Sequence, residues 1–195
     1  MVNEISIIDL LDELRDASWD ERDKGDRFER LIASYLRTDP LYVQKYDEVW
    51  RWSDWPDRPG PDTGIDLVAR DRETGELCAI QCKFYDPSHT LQKDDIDSFF
   101  TASGKQGFTS RLIVSTTDKW SKNAEDALEG QQVPVSRMRV LDLDESGIDW
   151  SQFSLAKPEQ MEIKAHKSLR PHQELALQKV VDGLVIADRG KLIMA

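Results

Sequence analysis

Three polar residues stand where two runs of β pattern could bring them together: Asp66 near the start of GIDLVAR, and Gln81 and Lys83 two apart in LCAIQCKFY. A phosphodiester hydrolase needs oxygen ligands for a divalent cation, a route to an activated water, and a positive charge near the phosphorus. A carboxylate, a side-chain carbonyl and an ammonium in one cleft meet those needs. In that arrangement Asp66 holds Mg2+, the backbone carbonyl of Cys82 adds a ligand, and Lys83 orients or activates the water or stabilises the transition state. The same residues also fit a plainer role: Asp66 and Lys83 as a solvated cross-strand pair on the open face of a sheet, worth under about 1 kcal/mol.

The elements that must position them follow from periodicity. The turn-like DRETGE separates the two runs and predicts a hairpin. Centring it between Glu73 and Thr74 sets Asp66 opposite Gln81, and the strand period puts Lys83 on their face. The other face then collects Ile65, Leu67, Ala69, Cys78, Ile80, Cys82 and Phe84, and a slip of one residue would spoil it. Upstream, helices are expected over 5–15, with Ile7, Leu11 and Leu14 on one stripe, and over 24–37, with Phe28, Leu31, Ile32 and Tyr35. Asp39-Pro40 stops the second helix. LYVQKYDEVWRWSDWPDRPGPD reads as an extended segment followed by a loop.

Downstream, the pattern predicts a helix over 94–103 burying Ile96, Phe99 and Phe100, a strand over 111–115, a helix capped by Ser121, and a last strand over 138–143. The class is α/β, a mixed β-sheet with helices packed on it. After Trp150 the pattern lapses. The expected organisation is a domain over 1–150, a linker over 151–168, and from 169 a helix followed by a buried strand at GKLIMA. One helix and one strand cannot bury a core, so 169–195 is expected to open a second domain that is truncated here.

Composition narrows the setting. The 195 residues are 39% hydrophobic, enough for one sizeable domain and an appendage. No window approaches the ~20 apolar residues of a membrane span, and the acidic N-terminal stretch is unlike a signal peptide, which makes the expected address cytoplasmic. Cys78 and Cys82, four apart in a strand, should lie about 13 Å from each other, too far for a disulfide. His89, His166 and His172 are scattered, which argues against zinc. The net charge of −11, from 37 acidic and 26 basic residues, argues against tight DNA binding through counterion release by this chain alone. It does not exclude a nuclease, which needs carboxylates to hold its metal.

The segment PDTGID followed by QCK, the helix GDRFERLIASYL, and the stretch DDIDSFFTASGKQGFTSRLIVSTTDKWSKNAEDAL together resemble the Mrr-like branch of the PD-(D/E)xK nucleases. The resemblance covers roughly 24–143 and implies a restriction-endonuclease-like sheet flanked by helices. Carried over residue by residue, Asp66 matches the metal-binding aspartate, Gln81 the D/E position, Lys83 the catalytic lysine, and Glu29 the acidic residue of the first helix, a second candidate ligand. Gln81 departs from the general pattern in a way that the Mrr-like branch shares. Glu29 fits a solvated helix position nearly as well, and Asp62 fits a further ligand or a turn former.

The tail LRPHQELALQKVVDGL with GKLIMA resembles the opening of a RecA-like helicase core, in which Gln173 would read the adenine of ATP. A nuclease followed by such a core resembles the N-terminus of Type ISP, single-polypeptide Type I, restriction-modification enzymes. That likeness implies double-stranded DNA as substrate, Mg2+ for cleavage, and downstream motor, methyltransferase and target-recognition domains that use ATP and S-adenosylmethionine. Two other roles stay open: a catalytically inactive DNA-binding or scaffolding module, and a nuclease for junctions or RNA. Trp50, Trp52 and Trp55 are candidates for base stacking or for the core. Lys105, Arg111, Lys119 and Lys122 are candidates for a phosphate patch or a solvated rim.

Overall fold

The computed structural model describes residues 5–61, 64–105, 107–154, 156–158, 160–164 and 170–186. It divides into two compact units, Met1–Lys164 and Ala165–Ala195. In the first unit α1 (Ile7–Ala17) and α2 (Glu21–Thr38) lead in. Ser6 caps α1 reciprocally with Asp9, and the Asp20 side chain accepts the Asp23 amide to start α2 three residues before its expected onset. Such caps satisfy the amides that the first helical turn leaves without partners.

Asp39 ends α2 as foreseen, but it also begins a new helix. Its carboxylate accepts the Leu41 amide, Pro40 occupies the first turn, and α3 (Pro40–Lys45) takes up residues expected to be extended. Proline at the first helical position lacks only an amide that would have gone unused. The extended part is β1 (Tyr46–Arg51), followed by a short 3-10 turn at Trp52–Asp54.

β2 (Leu67–Asp71) and β3 (Leu77–Lys83) form the hairpin, and Leu67 pairs with Ile80, Val68 with Ala79 and Ala69 with Cys78. That is the predicted register. Then come α4 (Asp94–Ser103), β4 (Ser110–Ser115), α5 (Lys122–Asp126) and β5 (Val135–Met138). The expected strand over 138–143 is a correction: β5 ends at Met138, and Val140–Asp144 is a helix, α6. The Asp142 carboxylate accepts the Arg139 amide at 2.7 Å, and this local bond turns the chain out of the sheet.

The sheet runs β1-β2-β3-β4-β5, antiparallel across the first three strands and parallel across the last three. Both faces are covered. On one, α1 and α2 bury Leu11, Phe28, Leu31 and Ile32 against Leu67, Ala69, Cys78 and Ile80. On the other, Ile96 and Phe99 of α4 and Ala124 of α5 pack on Val68, Ala79 and Ile113. Ile65 joins this second layer rather than the face of Leu67. It follows Gly64, whose φ of +107° bends the chain before the pleat begins. Burial on both sides explains why β3 reads almost continuously apolar.

Packing on the first layer continues past Trp150. Trp150 and Met161 lie in its core, the partly buried Phe153 packs against it, and the Lys164 amide reaches the Gly147 carbonyl at 2.7 Å. In the second unit, α7 (Pro171–Ile186) buries none of its residues. The strand expected at GKLIMA lies outside the described residues. Among the described residues no helix is long and apolar enough to cross a membrane.

Candidate active site

Asp66 sits where β2 leaves the ladder. Its amide still donates to Ile80 at 3.0 Å, and its Oδ2 accepts the amide of Cys82 at 2.6 Å. A side-chain carboxylate thus takes over from the departing backbone as acceptor for β3, which ties Asp66 to the strand that carries Gln81 and Lys83. Cys82 meets Asp66 through its amide, which leaves the carbonyl foreseen as a metal ligand outside this contact.

Gln81 is only 2% exposed, so the residue opposite Asp66 lies inside the structure and not on an open, solvated sheet face. Its Nε2 donates to the Gly64 carbonyl at 3.2 Å. Its Oε1 is buried and has no hydrogen-bond partner, a state that costs about 1–3 kcal/mol for an ordinary buried acceptor. Lys83 ends β3 half-buried, and its carbonyl accepts the Thr116 amide at 3.0 Å.

Glu29 projects from α2 into the same region. With Asp66 it lines a cavity of about 350 Å³ shared with Arg22, Asp26, Arg51, Trp52, Ser53 and Arg58. Gln81 and Lys83 are not in that lining. The field of the group is felt at the Cys82 thiol, which burial first, and then the carboxylates of Asp66 and Glu29, push well up, with Lys83 opposing. Lys83 also faces Asp95. Burial pulls the Asp95 carboxyl up, but the Gln92 amide, the Tyr85 hydroxyl and the nearby His89 and Lys83 side chains together bring it below its usual range.

Two sets of candidates change role. Arg111 is 5% exposed and spends its guanidinium on the protein, with Nε on Ser103 Oγ at 2.7 Å and Nη1 on Gln131 at 3.1 Å. It braces α4 against β4 and does not offer itself to phosphate. Trp52 and Trp55 are buried in the second layer, and Arg70 covers the ring of the partly buried Trp50. Asp62 lies outside the described residues.

Arg51 and Asp26 are the residues that sequence reasoning missed. Arg51 Nη2 donates to Asp26 Oδ1 and lies 3.6 Å from Glu29 Oε2. A signal was present, because Arg22, Asp26 and Glu29 follow one another at i, i+4 and i+7 and so share one face of α2.

The donor set available to a divalent cation consists of hard oxygens: the carboxylates of Asp66 and Glu29 and the unsatisfied amide oxygen of Gln81. Such oxygens suit a hard divalent cation. Among the described residues no three of the His, Cys, Asp and Glu side chains gather into a metal cluster.

The five-stranded mixed sheet flanked by helices, with Asp66 opposite Gln81 and Lys83 two residues on, defines a restriction-endonuclease-like nuclease domain. The chain belongs to the Mrr_cat_2 family, described as restriction endonuclease, whose profile matches residues 37–160. Asp66, Gln81 and Lys83 lie within that span, and Glu29 lies before it. Among solved structures the chain is similar to the ATP-dependent Type ISP restriction-modification enzyme LlaBIII bound to DNA, at 36% identity and a TM-score of 0.79. The match covers 95% of this chain and 12% of that one, so the chain spans about an eighth of the length of that enzyme. The modification-dependent restriction endonuclease AspBHI matches at 15% identity and a TM-score of 0.44, covering 69% of this chain and 33% of that one. No curated protein sequence matches.

Proposed function

We propose that this chain is a Mg2+-dependent DNA endonuclease module that hydrolyses phosphodiester bonds of double-stranded DNA. The observation that carries the proposal is the meeting of Asp66 and Glu29 in one cavity at the edge of the strand bearing Gln81 and Lys83. Asp66, Glu29, Gln81 through Oε1 and the Cys82 carbonyl are the residues that would hold the ion. When bound, a divalent cation supplies a more acidic water and neutralises charge on the phosphate. Asp66, fixed by the Cys82 amide, keeps one carboxylate oriented at the end of the ladder. Lys83 offers its ammonium to the water or to a phosphate oxygen. The covered sheet limits the site to one side and excludes bulk water from Gln81.

The site belongs, on this proposal, to a longer restriction-modification enzyme of the Type ISP kind. In it the nuclease leads to a RecA-like motor beginning near 169, with Gln173 reading the adenine of ATP, and methyltransferase and target-recognition parts following with S-adenosylmethionine. The length ratio to LlaBIII supports this. In the chain as described, the Gln173 side chain accepts the Arg170 amide at 2.9 Å and so serves the start of α7.

The test is nicking of supercoiled plasmid with and without Mg2+. Asp66→Ala and Lys83→Ala are each expected to cut the rate at least about 100-fold with an unchanged melting curve. Retained cleavage by folded Asp66→Ala overturns the assignment. A second reading, an inactive scaffold, is favoured by the neutral Gln81 and the net charge of −11. Calorimetric titration separates the two, because a scaffold takes up no Mg2+ or Mn2+ that depends on Asp66.

A further inference from the structure

Of the three arginines that line the cavity of Asp66 and Glu29, Arg51 alone is set into the wall, and the hydrolytic chemistry above leaves it without a task. Arg51 ends β1, and its side chain is three-quarters buried, at 25% exposure. Nη2 is committed to Asp26, and Glu29 stands at 3.6 Å. Asp26 is itself gripped from the other side by Arg30 Nε at 2.9 Å. The guanidinium is therefore held in place, yet its Nε is buried and donates to nothing. A buried N–H without an acceptor is unfavourable, and a ligand oxygen would relieve it.

The wall around it says which ligand. Three carboxylates, Asp26, Glu29 and Asp66, face three guanidiniums, Arg22, Arg51 and Arg58. A polyanion can approach carboxylates only if cations in the same wall receive it. Arg22 and Arg58 are exposed and able to steer, whereas Arg51 is fixed and planar, suited to paired oxygens on one phosphorus.

We propose that Arg51, oriented by Asp26, grips a backbone phosphate of the DNA next to the bond to be cut, with Arg22 and Arg58 guiding the strand towards it. The proposal rests on the nuclease reading. Asp26 is a positioning residue in it: it touches Arg51, not the substrate.

The test reads binding and not cleavage. A labelled DNA duplex is titrated with the 195-residue chain in EDTA over a range of low salt. Arg51→Gln is expected to weaken binding about tenfold and to lower the slope of log affinity against log salt by about 1. Arg51→Lys keeps the slope and not the affinity. Asp26→Asn removes a negative charge, which alone would favour DNA, yet it is expected to weaken binding because Arg51 loses its anchor.

If Arg51→Gln binds with the affinity and slope of the parent, the guanidinium is only a counter-ion for Asp26 and Glu29 and the proposal fails. If Arg51→Gln does not fold, Arg51→Lys decides, and parental affinity at every salt concentration overturns the proposal. A parent chain that nicks plasmid while Arg51→Gln binds normally sinks the Arg51 role and leaves the nuclease reading standing. A parent chain with no affinity for DNA at any salt sinks both.

Discussion

A buried glutamine whose nitrogen is satisfied and whose oxygen is not should be a liability in a sheet covered on both sides. Gln81 avoids that cost if its oxygen serves a cation, and an isosteric change separates the alternatives. Gln81→Glu loses the donor to Gly64 and places a charge at a position 2% exposed. The metal-free variant is therefore expected to lose about 1–3 kcal/mol. Because a ligand that binds only the folded chain stabilises it by mass action, Mg2+ should recover most of that loss. Urea unfolding with and without Mg2+ gives the answer. A deficit that Mg2+ leaves untouched would place Gln81 away from any cation. At this scale the sequence was legible where one strand period fixed the geometry, as for Asp66 and Gln81. It was opaque where a role depended on partners from distant elements. Arg111 looked like a free surface cation, and only the packed α4 and the Gln131 side chain reveal that it is spent internally.

At the scale of elements, the hairpin was readable because turn symmetry and an apolar face gave the same register independently. The helices α3 and α6 were not. Both are short, six and five residues, below the length at which an apolar stripe declares itself, and both are set by one local bond, at Asp39 or Asp142. Caps outweighed the aromatic and β-branched composition that suggested strand. The layer on α4 was also missed as a cover for the site face, and it makes the loop before β2 unusually constrained. A Cβ at Gly64 would stand 2.9 Å from Ser98 Oγ and 3.2 Å from the Phe99 backbone nitrogen, at φ +107°. Gly75 has φ +73° but nothing within 4 Å. Gly64→Ala is thus expected to cost about 2–4 kcal/mol from strain plus clash, and Gly75→Ala only about 1–2 kcal/mol from strain. Equal shifts of the two urea midpoints would mean that α4 does not pin the loop that delivers Asp66.

Across the whole molecule, titration should bound the folded state on two sides. Hydrogen-bonded carboxylates lie below their usual value near 3.8: Asp71 through the Thr74 amide, Asp142 through Arg139, and Asp86 through Ser88. A depressed folded value means stability that is present above the unfolded value and lost as pH falls through the folded ones, so acid unfolding should begin below about pH 4. The phenols act in the opposite sense. Burial first, then nearby charge at Tyr35 and Tyr46 and the hydrogen bond to Asp95 at Tyr85, pushes these phenols far above their usual value of 10. Their neutral forms are favoured in the fold, so that contribution is complete below about pH 10 and is lost as pH rises beyond it. The net charge of −11 grows more negative there and adds repulsion. Added salt should soften the repulsion without moving the phenol effect, since buried groups are poorly screened. Tyr35→Phe combined with Tyr46→Phe should therefore shift alkaline unfolding to higher pH at high salt and leave the acid limb unchanged. Both limbs would be followed by urea midpoint against pH. An unmoved alkaline limb would assign the loss to general repulsion and not to the two buried phenols.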